Sequence, residues 1–290
     1  MISYCCASED FLYQLLGFDN LLISRKCDLI FQTKFEDCKT LVCLIEYFQN
    51  IDPYIKVAHI KKVIFFEHAL KYLAVNLQKG EKNILDVGCA FGYFLDIAPK
   101  DGLHVSGVKI TDAALKGARK KMGHRPVTHR TLSKASLHVK SFDEITLWDI
   151  LAVFDDPLKE IETYYRLLNN GVIGIRVRKV AFQKFCYHVY RAFKAIRQKF
   201  GMKNRFVFHP YCFNAVSLES FLSRVGFKNI QISNSPLSSC DQYGHIEMHR
   251  TVNIVKRLIS FFSKAVFVLR RRKWIIGPSL LLWAQSPEKS

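Results

Sequence analysis

The chain has 290 residues, 49% of them hydrophobic and 23% charged, with a formal net charge of +18. This composition excludes a disordered chain and provides apolar material for one large domain with a small module beside it. No apolar run approaches the ~20 residues a membrane-spanning helix needs, and the opening "MISYCCASEDFLYQ" has neither the basic start nor the apolar stretch of a signal peptide.

Nine cysteines are an odd number. Without a secretory signal they predict reduced thiols in a cytoplasmic protein, not a disulfide framework. The charge is unevenly placed: residues 176–205 carry ten Lys/Arg and residues 250–273 carry eight, neither stretch with an acid, and 43 − 18 leaves 25 basic residues against 25 acidic ones. Such segments are either solvated helix faces or the footprint of an anionic partner, a phosphorylated or lipid-linked acceptor or an anionic membrane surface. No RNA-binding signature accompanies the charge, so nucleic acid is not an expected partner.

In chain order, residues 1–34 read as a small, irregular, cysteine-bearing module. Residues 35–80 read as a helical connector, with helical spacing over 36–49 and 54–78 interrupted at Asp52-Pro53. The pattern changes at residue 83. Strands are predicted at 83–88, 103–109, 126–130, 144–150 and 172–178, and helices at 92–98, 111–121 and 157–168. This alternation predicts a parallel sheet with helices on both faces.

Asp155-Asp156-Pro157 reads as a helix N-cap with proline in the first turn. Gly171 in "NNGV" is expected to close that helix as its C-cap. A long helix fits 180–200, with Phe182, Cys186, Val189, Phe193, Ile196 and Phe200 in one stripe and Lys184, Arg191, Lys194 and Arg197 off it. A helix at 217–225, a strand at 227–233, a second basic helix at 247–271 and a strand at 279–285 complete residues 81–290. As lids over a substrate mouth, the basic helices would pack apolar faces on the sheet and turn charges toward the ligand. His59, His68 and His124 fall singly and read as surface or packing residues.

The stretch "NILDVGCAFGYFLD" carries the first functional signal. An apolar strand ends at Asp86, and Gly88 and Gly92 lead into a helix. Glycines there let backbone approach a ligand closely, and open α/β sheets bind ligands at the carboxyl ends of their strands. With "VSGVKI", "SFDEITLWDILAVFDDPLKEIETYYRLLNNGVIGIRV" and "SLESFLSRVGF", the chain resembles class I S-adenosylmethionine-dependent methyltransferases over residues 54–285. Residues 1–34 resemble the zinc-ribbon-like segment that begins a subset of them.

The resemblance implies a Rossmann-like α/β sandwich, a seven-stranded mostly parallel sheet with its last strand antiparallel. It implies S-adenosyl-L-methionine as cofactor, bound by the loop matching Asp86, Gly88, Cys89, Ala90 and Gly92. Lys109 and Ile110 match the end of the second strand, beside the ribose. Trp148 and Asp149 match the end of the fourth strand, beside the sulfonium and the acceptor. Asp149 and His209 are the catalytic candidates.

Several positions depart from the family. Lys109 stands where an Asp or Glu usually accepts bonds from ribose hydroxyls, and an ammonium cannot accept. Leu151-Ala152-Val153 stands where Leu-Glu-His is frequent, and Val153 cannot act as a general base. Cys212 stands where a histidine is expected, with His209 nearby. In the N-terminal segment Ser3 and Ser24 take two of four cysteine positions beside Cys6 and Cys27. Two thiolates do not close a structural zinc site, so no metal is expected.

Two functional readings remain. One is methyl transfer to a small anionic or sugar-type acceptor. The other is a catalytically impaired member of the fold that serves as a binding module or docks on an anionic membrane surface.

Overall fold

The computed structural model describes residues 11–12, 21–24, 29–32, 66–72, 82–89, 92–98, 103–109, 127–129, 141–182, 192, 210–236, 250–269 and 275–287. They form two sheets. The smaller one contains β1 (Phe11–Leu12), β2 (Leu21–Ser24), β3 (Ile30–Gln32) and β9 (Tyr211–Cys212), all antiparallel. The larger contains β4 (Lys82–Val87), β5 (Leu103–Lys109), β6 (Val127–His129), β7 (Phe142–Trp148), β8 (Leu168–Arg178), β10 (Lys228–Asn234) and β11 (Ser279–Gln285).

The order of the large sheet is β10-β11-β8-β7-β4-β5-β6. Strands β4 to β8 are mutually parallel where they pair. The last strand, β11, runs antiparallel to both neighbours. This is an α/β Rossmann-like arrangement. The order reverses between β4, the first strand of the unit, and β7, so a crevice opens at their carboxyl ends.

One face of the large sheet carries the main core. Leu85, Leu147, Ile145 and Ile175 lie in a buried cluster with Ile161, Tyr164, Phe221 and Leu222 from the helices. Burying each such side chain contributes about 1.5–3 kcal/mol. The helices are α2 (Pro157–Leu167) and α3 (Ala215–Val225), which pack on each other. The side chain of Asp156 accepts from Lys159 N at 3.1 Å, with Pro157 opening α2. Asn214 and Ser217 form a reciprocal capping box at α3, each side chain bonded to the other's backbone N–H at 2.8 Å, a cap of about 1 kcal/mol. Gly226 ends α3 in the left-handed conformation, φ 113.

The small sheet belongs to the same core. Leu22, Leu29 and Phe31 share the buried cluster with Tyr211 and Phe213, and Phe31 pairs with Tyr211 across β3 and β9. Through β3 and β9 the small sheet therefore joins a strand near the amino terminus to residues 211–212. Cys5, Cys6 and Cys27 lie outside the described residues, and Ser24 is a buried strand residue.

The opposite face of the large sheet is covered by helical residues 66–72 and by α1 (Tyr93–Ile97). Phe66, Phe94 and Trp148 meet at centroid distances of 5.4 to 6.2 Å. Tyr72 stacks on Trp283 at 4.3 Å. Gly174 makes room for that indole: a Cβ there would come within 2.4 Å of it.

Three expectations change. Gly171 is not a C-cap, because α2 runs directly into β8 at Leu168. Asn170 takes the left-handed φ of 51, and Gly171 is needed because a Cβ would sit 2.2 Å from the Asp143 carbonyl oxygen. The strand expected at 144–150 is Phe142–Trp148 and gives way to a 3-10 turn, Leu151–Val153. The second basic helix, α4 (Arg250–Leu269), has the expected extent, but not the expected facing. Leu258, Phe261 and Phe262 point to solvent, while Ser263 is buried. The helix expected at 111–121 lies outside the described residues. So does most of 180–200, of which 180–182 and 192 are helical.

Candidate cofactor site

The site forms where β4 and β7 end side by side. Asp86 and Thr146 are register partners, and both are buried. Thr146 Oγ1 donates to Asp86 Oδ1 at 2.9 Å, fixing the carboxylate beneath the turn that follows. Gly88 and Gly92 adopt left-handed φ values of 73 and 75. Gly88 N and Cys89 N both donate to Val108 O, at 2.9 and 3.3 Å, and Gly92 N donates to Cys89 O at 2.8 Å. The turn is thereby held against β5 before α1 begins. A Cβ on Gly88 would lie 2.9 Å from Ile150, so the closeness of the two strand ends itself requires glycine.

Cys89 is buried, with its thiol packed toward Gly107. A Cβ on Gly107 would come within 2.8 Å of the sulfur. This thiol is a packing element of the turn. Lys109 is the last residue of β5 and pairs with His129. Ala90, Ile110, His209 and the side chain of Lys109 lie outside the described residues.

The β7 end is the second half of the site. Trp148 is register partner to Arg176 on β8. The chain then turns at Asp149, whose φ is 62, a conformation Asp tolerates better than most side chains. Asp149 N donates to Arg176 O at 3.0 Å, and Arg176 Nη1 donates to Asp149 Oδ2 in a largely buried ion pair. Arg176 Nε donates to Ser235 Oγ at 2.8 Å. One guanidinium thus joins the carboxyl ends of β7 and β8 to the residue just after β10.

Of the residues expected at the site, Asp86, Gly88, Cys89, Gly92, Trp148 and Asp149 are brought to these two adjoining turns. Cys212 is not: it is buried in β9 opposite Ile30. Ala152 is buried and Val153 half-buried in the 3-10 turn after Asp149. Sequence reasoning missed Thr146, Ile150, Arg176 and Ser235. The signal for the first and third was available: Glu144, Thr146 and Trp148 alternate with apolar residues in β7, and Arg176 interrupts an otherwise apolar strand. Polar residues at a strand period of two share one face.

Glu144, two residues below Thr146, is fully buried, and neither carboxyl oxygen has a hydrogen-bond partner among the described residues. Burial, and then the nearby Asp86 carboxylate, push its pKa well above the usual carboxylate range.

The family model described as a methyltransferase domain matches residues 58–232, more than half of the chain. The chain belongs to the methyltransferase-domain family. The ubiquinone biosynthesis O-methyltransferase of Histophilus somni (strain 2336) is 34% identical over 103 residues, which cover 32% of this chain and 43% of that protein. The enzyme of the same name from Nitrosomonas europaea is 29% identical over 98 residues, covering 31% and 41%. The matches thus span less than half the length of these curated relatives. Among solved structures, phosphoethanolamine N-methyltransferase 2 of Haemonchus contortus with S-adenosyl-L-methionine superposes with a TM-score of 0.52. It is 16% identical, and the superposition covers 89% of this chain and 62% of that one. At that identity the likeness is one of fold.

Proposed function

We propose that this methyltransferase-family chain uses S-adenosyl-L-methionine to methylate a small acceptor. The observation that carries the reading is the Gly88–Gly92 turn at the carboxyl end of β4. Two left-handed glycines stand above a hydrogen-bonded Asp86, at a place where a Cβ would collide with Ile150. Those residues fit the cofactor: Gly88 and Cys89 would hold its methionine part, and the end of β5 would lie beside its ribose. The cofactor supplies a methyl group already activated by the sulfonium charge, so the protein's task is orientation and exclusion of water.

Trp148, packed against Phe66 and Phe94, supplies an apolar wall. Arg176 holds Asp149 in its turn next to Ile150. The names of the curated relatives favour oxygen as the accepting atom. The acid-free run of Lys/Arg that follows the paired Arg176, from Arg178 to Arg205, favours an acceptor bearing negative charge.

A second reading, a binding module without methyl transfer, draws on Lys109, Ala152 and Val153. None of the three supplies the acceptor or base group that related enzymes carry at that position.

Calorimetric titration with S-adenosylmethionine and with its demethylated product tests both readings. Saturable binding of either supports a cofactor site. Absence of binding by both overturns the proposal. Binding without turnover of any phenolic or phosphorylated acceptor favours the second reading.

A further inference from the structure

We propose that α4 is a docking surface for an anionic phospholipid bilayer, its apolar stripe seated at the headgroup boundary and its cations on lipid phosphates. The basis is the facing of an amphipathic helix. Leu258, Phe261, Phe262, Val268 and Leu269 recur at spacings of three, four and seven, which keep one helix face, and they are 52%, 68%, 61%, 71% and 79% exposed. The inward side holds buried Ser263, whose hydroxyl donates to Ile259 O at 2.7 Å and whose carbonyl accepts from Asn234 Nδ2 at 3.2 Å. Ile276, just beyond the helix, is 42% exposed. A contiguous apolar face turned to water marks an interaction site.

Charge identifies the occupant. Arg257 and Lys264 are exposed on α4, and the sequence continues into Arg270-Arg271-Arg272-Lys273, with no acid anywhere in residues 250–273. An apolar face with lysine and arginine beside it is the composition of helices that lie in the membrane interface. Two copies of so cationic a helix would repel one another, which disfavours self-association. No described helix is long and apolar enough to cross a membrane, so α4 would lie on the surface, about 30 Å along its axis.

The placement links the surface to the site. Asn234, which holds Ser263, precedes Ser235, which accepts from Arg176, the partner of Asp149. Docking through α4 would bring the carboxyl end of the sheet close to the bilayer. The inference does not depend on methyl transfer, because vesicle binding is read without activity.

The test is sedimentation of the full chain with vesicles of phosphatidylcholine alone or mixed with phosphatidylglycerol. The mixed vesicles are expected to carry the protein down and the neutral ones to leave it in solution. Rising salt is expected to weaken binding without abolishing it, since screening acts on the charges and not on the apolar contact. Phe261→Ser with Phe262→Ser is expected to lower partitioning about tenfold or more. Leu258→Gln with Leu269→Gln, at separate positions, is expected to act in the same direction, and thermal melting should confirm that each variant folds. Failure of the parent to sediment with the mixed vesicles overturns the proposal. So does equal sedimentation of parent and both apolar variants. A dimer seen by light scattering and lost in the Phe variant, with no vesicle binding, would reassign the face to a second copy of the chain.

Discussion

Arg176 grips Asp149 twice, accepting its backbone N–H through the carbonyl oxygen and binding its carboxylate through the guanidinium. The pair spans the ends of β8 and β7 and holds a left-handed aspartate at the lip of the site. Its side chains are only 9% and 17% exposed, so removing one partner strands the other away from water. Arg176→Met is expected to cost about 3 kcal/mol of stability, measured by denaturant unfolding. Asp149→Asn alone should cost less, and the double variant should recover part of the loss. Strict additivity in that cycle would show that the two groups are not coupled.

Gly88 makes a sharper test of the turn. Gly88→Val forces a β-branched residue to a φ of 73 and drives its Cβ toward Ile150 at 2.9 Å. The strain is expected to be about 1–3 kcal/mol, with a melt that stays cooperative. S-adenosylmethionine binding should be lost. Retention of parental affinity by titration would show that the cofactor does not sit on this turn.

The strands were legible because they alternate with helices and are flanked by turn residues. The strands expected at 279–285 and 103–109 have those same bounds in β11 and β5. The glycine turn was legible because Asp86, Gly88 and Gly92 follow an apolar strand. The Arg176–Asp149 pair was not, because residues 27 apart in sequence become neighbours only when β7 and β8 pair in parallel. The facing of α4 was hidden for another reason. Its apolar residues wrap much of the helix circumference, from half-buried Ile259 and Val266 through Phe262 round to Phe261, and periodicity alone does not say which side meets the sheet. The pairing of residues 30–31 with 211–212 is a contact between distant segments that no local pattern announces.

Lys109 ends β5, the strand that backs the glycine turn through Val108. The resemblance to class I methyltransferases implies a carboxylate at this position to accept from the ribose hydroxyls, and an ammonium group offers donors only. Lys109→Asp or Lys109→Glu is expected to tighten S-adenosylmethionine binding by about 1–2 kcal/mol, the worth of hydrogen bonds to a charged group. Titration of the variants beside the parent decides it. Unchanged or weaker binding would mean that the ribose is held by other groups.

Glu144 gives the fold a pH-dependent weakness. Its carboxyl group is fully buried and unbonded among the described residues. Burial first, and then Asp86, raise its pKa well above the ordinary carboxylate value of 4.5. The sign follows from proton linkage: the folded chain holds this proton more tightly than the unfolded chain does. Below 4.5 both states keep the proton and the site imposes no ionisation penalty. As pH rises from there toward the raised folded value, the unfolded state gains by ionising and stability falls. Glu144→Met removes the titrating group and fills a similar volume with apolar atoms. The substitution is expected to stabilise the fold by about 1–3 kcal/mol near neutral pH, with the gain shrinking as the medium is acidified below the ordinary carboxylate range. Paired urea unfolding curves for parent and variant, taken across that range, measure the difference directly. A gain that stays constant with pH would show that Glu144 titrates alike in the folded and unfolded chains. A loss at neutral pH would show that its carboxylate is bonded in the folded protein.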